Sequence, residues 1–213
     1  HTKWAGKTVH FAREIDSTNL WGKRVWKEEG AKHGELFVAE YQSAGRGRFT
    51  RRWSAPPDSA ITMSILICPE FSPMKAPMLT LVMGLSVAQA VADLGLDVGI
   101  KWPNDVVVSR KKICGILTEM TMKQDKIGCA VIGVGINVNM DSFPEEMADK
   151  ATSLYLESGH VFDRAEVVGL VMKHFEENYE RFVQTEDLSG MKTDYEKLLA
   201  NLNQPVRVLN QND

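Results

Sequence analysis

The stretch Val98-Gly99-Ile100-Lys101-Trp102-Pro103-Asn104-Asp105-Val106-Val107-Val108-Ser109-Arg110-Lys111-Lys112-Ile113-Cys114-Gly115-Ile116-Leu117-Thr118-Glu119 carries the first architectural signal in the chain. Val98–Trp102 reads as a strand that Pro103-Asn104-Asp105 interrupts and Val106–Val108 resumes, because proline removes a ladder donor. Ser109-Arg110-Lys111 has the character of a turn, and Lys112–Glu119 continues the sheet. Gln124-Asp125 forms the next turn, and residues 127–138 form a further strand. Residues 98–138 therefore predict a three-stranded antiparallel meander.

The last of these strands has two unlike faces. Ile132, Val134, Ile136 and Val138 alternate with Gly133, Gly135, Asn137 and Asn139. Glycine weakens a strand interior, so two in alternation mark the close approach of another group. A flat ligand on the strand is one answer. A tight backbone crossing in the core is another, but it leaves Asn137 unexplained. Val138 stands where a dinucleotide fingerprint needs its third glycine. Lys112 opens the middle strand, with Cys114 and Ile116 expected on its own face and Gly115 on the other.

Working outward, residues 7–12 alternate as a strand, and Asp16-Ser17-Thr18-Asn19 offers N-caps for a helix over 18–29. Leu36–Glu40 is a short strand. In Ala60–Ile67 the residues Ile61, Met63, Ile65 and Ile67 share one face at period 2. A helix over 76–94 ends at Gly95, with its methionines as core filler. Residues 141–159 read as irregular with one helical turn. Val167, Val171, Phe175, Tyr179 and Phe182 mark a helix over 163–183, and a last helix is expected over 190–202. Gln204–Leu209 reads as the opening strand of a small β module. The expected organisation is thus an α+β domain over 1–203 and the start of a second, small β domain over 204–213.

Leu36–Glu40 leads into Tyr41–Pro57, where Gly45–Trp53 holds four arginines, two glycines and one tryptophan. No apolar period runs through it, so it is a surface loop. Its glycines let the backbone approach a ligand, and its guanidinium forks suit carboxylate or phosphate. The alternative is a solvated basic loop. No Gly-Lys-Ser/Thr follows, so it is not a P-loop.

The chain has 213 residues, 44% of them hydrophobic and 25% charged, with a net charge of −3. The basic loop is local to a mildly acidic protein, which favours a small anionic ligand over general nucleic-acid binding. No run is read as approaching the ~18–20 apolar residues of a membrane span. Cys68, Cys114 and Cys129 sit in apolar strand-like stretches and read as buried free thiols of a reducing, cytoplasmic compartment. The five histidines lack metal-ligand spacing, and no structural metal is expected.

Five motifs occur here in the order found in biotin protein ligases, and over roughly residues 8–200 the chain resembles that family. They are Asp16-Ser17-Thr18-Asn19; Gln42 with Gly45-Arg46-Gly47-Arg48, Arg51 and Trp53; Lys101-Trp102-Pro103-Asn104-Asp105; Lys112–Leu117; and Gly133-Val134-Gly135-Ile136-Asn137. The resemblance implies a mixed, largely antiparallel sheet with packed helices, related to class II aminoacyl-tRNA synthetases. It implies activation of biotin by ATP to biotinyl-5′-AMP and transfer to a lysine of a biotin carboxyl carrier protein. It also implies Mg²⁺ with the nucleotide and the option of a homodimer. A lipoate ligase and a non-catalytic sensor are the rival readings. Neither DNA binding nor membrane binding is expected of this chain.

Carried over by motif, Lys112, Arg48 and Arg46 resemble the catalytic cations. Ser17, Thr18, Asn19, Gln42, Gly45, Arg46, Gly47, Arg48, Trp53, Lys112, Gly115, Leu117 and Gly135 resemble the biotin site. The nucleotide side corresponds to Arg48, Arg51, Trp53, Asn104, Asp105, Lys112, Ile136 and Asn137, with Asp105 toward Mg²⁺. Thr50 departs from the family's usual glycine. The glycine–arginine loop suits a lid that excludes water from a reactive anhydride.

Overall fold

The computed structural model describes residues 1–49 and 51–205. Strands β1 (Val9–Ile15), β2 (Leu36–Gln42), β3 (Ala60–Ile67), β4 (Val98–Lys101), β5 (Asp105–Val108), β6 (Lys111–Lys123) and β7 (Lys126–Asn137) form one sheet, ordered β1-β2-β3-β7-β6-β5-β4. β1 and β2 are parallel, joined over the sheet by helix α1 (Thr18–Glu28), and every other pair is antiparallel. This is the mixed, largely antiparallel α+β sheet expected.

Hydrophobic alternation decides which face is which. Ile61, Met63, Ile65 and Ile67 of β3 join Ile132, Val134 and Ile136 of β7 in one buried cluster. Helix α2 (Met78–Asp93) and helix α5 (Arg164–Thr185) cover that face and pack against each other. All five apolar positions read for α5 are buried. On the opposite face a smaller core of Val25, Phe37, Leu66, Cys129 and Val131 lies under α1. Glu176 of α5 accepts the backbone N–H groups of Lys3, Trp4 and Ala5 at 2.7–2.9 Å, which ties the N-terminal segment to this helix.

Several expectations change. Residues 98–108 are not one interrupted strand, because β4 and β5 pair antiparallel and Lys101 stands opposite Asp105. Pro103 has no N–H to continue a ladder, so the chain reverses there and the meander has four strands. Between β5 and β6 the register slips, with Val106 opposite Cys114 but Val107 opposite Lys112. The extra residue, Ile113, is a β-bulge that restarts the alternation, so Lys112 shares a face with Gly115 rather than with Cys114.

Residues 141–159 hold two short helices, α3 (Glu145–Ala148) and α4 (Leu154–Ser158). The last helix is only α6 (Lys192–Leu198), because Ala200 donates to the Ile100 carbonyl on the open edge of β4. The first strand starts two residues late and runs to Ile15. Cys68 is only partly buried. The stretch Pro73–Asp93, passed over in the sequence, is 21 residues long and contains an 18-residue window with a mean hydropathy of 1.4, enough by length and composition to cross a membrane. Its buried side chains instead lie in the main core, between the sheet and α5. Thr50 and most of the strand expected over Gln204–Leu209 lie outside the described residues.

Candidate active site

Beside α1, the sheet loses side-chain volume. On the face where Cys129 and Val131 of β7 support α1, the next two positions are Gly133 and Gly135. A Cβ at Gly133 would lie 2.4 Å from Asn19 Oδ1, and one at Gly135 would lie 2.3 Å from the Trp53 indole. No side chain fits at either place. The glycines thus admit the start of a helix and an aromatic ring. Trp53 itself takes part of the flat surface on which a ligand was expected. Gly133 stands between Ser64 and Leu117, and Gly135 between Thr62 and Gly115.

The apolar floor meets a polar end at the start of α1. Ser17 occupies the N-cap in an extended conformation (φ −159°, ψ 133°) without a side-chain cap. Ser17, Thr18 and Asn19 are all buried. The Thr18 backbone N–H and hydroxyl both point to Gln42 Oε1, at 2.7 and 3.0 Å. That commits the amide oxygen of Gln42 and leaves its Nε2 facing Gly45. Ser64 Oγ lies 2.7 Å from Thr18 Oγ1 and 2.6 Å from Asn19 Oδ1. Asn19 Nδ2 donates to the Leu117 carbonyl and to Glu119 at 3.1 and 2.9 Å. Asn19 therefore shapes the pocket through bonds within the protein, while Thr18 and Gln42 edge it.

Glu119 joins this end to the loop. Lys23 Nζ donates to its carboxylate at 3.1 Å, and an Arg46 guanidinium nitrogen lies 3.2 Å away. Burial alone would raise its pKa. The hydrogen bonds from Asn19 and Lys23, with the charges of Lys23 and Arg46, outweigh burial and hold it below the ordinary carboxylate range.

The arginine loop doubles back on itself. Gly47 N–H donates to the Arg51 carbonyl at 2.7 Å and Trp53 N–H to Gly45 at 3.0 Å, with Arg46 and Arg52 paired between them. Gly45 is required there, since its Cβ would meet the Trp53 carbonyl at 2.3 Å. Ala44, Gly45, Arg46, Gly47, Arg51 and Arg52 enclose an open cleft of about 330 Å³. Among the described residues, Trp53 Nε1 is buried without a hydrogen-bond partner. A buried donor of that kind is rare in a finished core and fits a site that receives an acceptor from a ligand.

At the far end, Arg48 Nη1 donates to Asn104 Oδ1 at 2.9 Å, and Lys112 Nζ lies 2.7 Å from Asp105 Oδ1. Two cations are thus anchored on successive residues of the β4–β5 turn. The bulge at Ile113 brings the Lys112 amine within 3.0 Å of a Cβ position on Gly115. The Lys112 backbone is gripped by the Lys150 carbonyl and the Thr152 N–H at 2.8 and 2.9 Å. Asn137 Nδ2 donates to the Thr152 carbonyl at 3.0 Å. Ile136 turns its side chain into the core, so only its backbone can meet a nucleotide. No group of three or more metal-ligating side chains occurs among the described residues.

The site therefore combines a polar end edged by Thr18 and Gln42, a flat glycine floor and a cationic end, bordered by the glycine–arginine loop. Residues 11–137 match the model of the biotin/lipoate A/B protein ligase family. The chain belongs to that family. A bifunctional ligase/repressor BirA from Bacillus spizizenii is 40% identical over 185 residues, covering 85% of this chain and 57% of that protein. A biotin–[acetyl-CoA-carboxylase] ligase from Mycobacterium tuberculosis is 39% identical over 126 residues, covering 57% of this chain and 45% of the relative. The chain thus spans about half the length of these two relatives. A biotin protein ligase from Aquifex aeolicus in complex with biotin and ATP superposes with a TM-score of 0.81 at 34% identity, covering 96% of this chain and 84% of that one.

All the motifs singled out in the sequence converge on this one face. Ser64, Glu119 and Lys23 were missed. Thr62 and Ser64 alternate with the isoleucines and Met63 of β3, and polar residues on a wholly buried strand are a readable signal. Glu119 and Lys23 look like ordinary surface charges in sequence, because their meeting depends on α1 crossing β6.

Proposed function

We propose that the chain is the catalytic part of a biotin protein ligase, which activates biotin with ATP and passes it to a lysine of a carboxylase carrier domain. The observation that carries this reading is the pairing of Lys112 and Arg48 with the adjacent Asp105 and Asn104, across a glycine floor from the Thr18–Gln42 pocket. A molecule with a polar uncharged head, a flat apolar body and a carboxylate tail matches that order. The ring ureido group of biotin supplies both donors and acceptors for Thr18 and Gln42. Lipoate carries no such groups on its dithiolane, and a site built to hydrogen-bond rejects an analogue that leaves its polar atoms unpaired. That favours biotin within the family.

In the first step a carboxylate oxygen attacks the α-phosphorus of ATP. The new C(O)O–P bond forms as the bond from the α-phosphorus to the bridging oxygen breaks, and pyrophosphate leaves with the electron pair. No general base is required, because the carboxylate is already ionised at pH 7. The barrier is the approach of two anions. Lys112 and Arg48 lower it by offering fixed positive charge where the oxygens meet, whereas Arg46, also expected there from the sequence, is paired with Glu119 at the other end of the site. In the second step the neutral ε-amine of the carrier lysine attacks the anhydride carbonyl, the bond from that carbon to the phosphate oxygen breaks, AMP leaves with the electron pair, and the nitrogen gives up one proton to solvent.

Mg²⁺ would be held at Asp105 and by the nucleotide's own phosphates, and would supply further charge neutralisation there. One carboxylate with no neighbouring ligand set fits an ion that arrives with its nucleotide, not a dedicated cage. The partner inferred is a carboxylase carrier domain, with cytoplasmic residence and an optional homodimer. No DNA contact is inferred for these residues, since Arg46 and Arg48 are engaged within the site. A salt-sensitive shift of duplex DNA by this chain would overturn that. The central test is biotin-dependent ATP–pyrophosphate exchange with lipoate in parallel. Exchange with biotin alone supports the proposal, exchange with lipoate alone moves the chain to the lipoate branch, and biotin binding without exchange marks a sensor.

A further inference from the structure

We infer that Glu119 is a positioning residue that holds the arginine loop against the pocket through Arg46. The inference rests on the adenylation reading above for its kinetic arm only. Glu119 lies on β6, on the same site-facing row as Gly115 and Leu117, and its side chain is 17% exposed. Three groups from two other parts of the chain meet on it: Asn19 donates at 2.9 Å and Lys23 at 3.1 Å from α1, and Arg46 of the loop forms an ion pair at 3.2 Å. Glu119 is thus the side chain at which the floor of the pocket, its polar end and the loop are joined.

Two consequences follow from the geometry. First, Glu119 accepts from Asn19 Nδ2 and so keeps Asn19 Oδ1 turned to Ser64, which fixes the polar pattern of the pocket. Second, Arg46 lies between Gly45 and Gly47, two residues without side chains to brace the loop, so the ion pair with Glu119 supplies that brace. Arg48 is held separately by Asn104. Arg46 and Arg48 thus tether the loop toward opposite ends of the expected ligand, and Glu119 serves the end nearer the helix start. An exposed ion pair contributes little; here Arg46 is half-exposed, but the carboxylate is largely buried and also accepts from Asn19 and Lys23, where removal of charge is felt more strongly.

The test compares the whole chain with Glu119→Gln, Arg46→Met and, as a control that removes a Glu119 partner without touching the loop, Lys23→Met. The first readout needs no ligand: the rate of chymotryptic cleavage after Phe49, an exposed residue of the loop, followed by the mass of the fragments. Glu119→Gln and Arg46→Met should each speed this cleavage severalfold, the double variant should add nothing, and Lys23→Met should leave it unchanged. In biotin-dependent exchange, Glu119→Gln should raise the KM for biotin about tenfold while the KM for ATP and kcat stay within about twofold. A residue of merely structural importance would lower thermal stability and the active fraction without this split. Unchanged loop cleavage in both single variants, or equal effects of Glu119→Gln and Lys23→Met, overturns the inference. Absence of exchange in the unaltered chain would count against the proposed function, and the cleavage arm would still decide on Glu119. Should Glu119→Gln fail to fold, Arg46→Met carries that arm.

Discussion

Replacing Lys112 by Ala separates binding from chemistry more sharply than any other single change. Its amine is anchored 2.7 Å from Asp105 and is about one-third exposed, at 35%. A unit charge about 4 Å from an anion contributes about 4 kcal/mol at an effective dielectric of 20. Discounting by about half for solvent access leaves roughly 2 kcal/mol per anion. The bound biotin carboxylate feels that attraction once. At the transition state the attacking oxygen and the phosphoryl oxygens crowd the same ammonium, so the loss is roughly doubled.

Biotin affinity should therefore fall about 10- to 30-fold, and the rate of adenylate formation roughly a further 10- to 100-fold. Calorimetry gives the first quantity and biotin-dependent ATP–pyrophosphate exchange the second. The substitution also strands the Asp105 carboxylate beside incoming phosphates, so Lys112→Ala combined with Asp105→Asn should recover part of the binding but little of the rate. A loss of biotin affinity with an unchanged rate of adenylate formation at saturating biotin would refute the reasoning, for it would mean that the lysine holds the ground state and the transition state alike.

Other substitutions test the packing of the site. Gly135→Ala puts a methyl group 2.3 Å from the indole of Trp53. It should displace the ring, change its fluorescence and cost about 1–3 kcal/mol in chemical denaturation, the usual range for overpacking. Ser64→Ala should lower stability by roughly 1–2 kcal/mol in the same assay, because Ser64 is wholly buried and Asn19 Oδ1 loses its hydroxyl partner. Glu119 and Glu176 both have carboxyls held below the ordinary value of 4.5 in the folded protein. Their contribution is thus fully present above about pH 4.5–5 and is lost as the pH falls through the lowered folded values. Urea titrations across pH 3–6 should show a steeper acid loss for the unaltered chain than for Glu176→Gln.

The sheet was legible because its signals are local. Period-2 alternation in Ala60–Ile67 and in Val131–Val138 identifies strands and their inner faces without any neighbour. Two close contacts were legible for the opposite reason: Gly133 and Gly135 stand in a strand interior that glycine weakens, so each implies the near approach of another group. The nature of that contact was not legible. Gly135 meets the protein's own Trp53, and Gly133 meets Asn19. Both partners are remote in sequence, and only folding shows that the flat surface is partly tiled from within. The hairpin at Pro103 was misread because a proline shows that a ladder stops but not whether the chain bulges or turns back.

By itself, the sequence determined the alternation of the strands, the helix start within Asp16–Asn19, the loop character of Gly45–Trp53 and the family whose motifs these are. Each depends on the chemistry of a residue and its near neighbours. Tertiary structure alone decided that Ile113 bulges and swings Lys112 onto the face of Gly115. It alone decided that Glu119 gathers Asn19, Lys23 and Arg46. A register shift is set by the pairing of two strands, and an ion-pair network by the crossing of a helix over a sheet. Both arise from contacts between elements that lie far apart along the chain, and no local pattern records them.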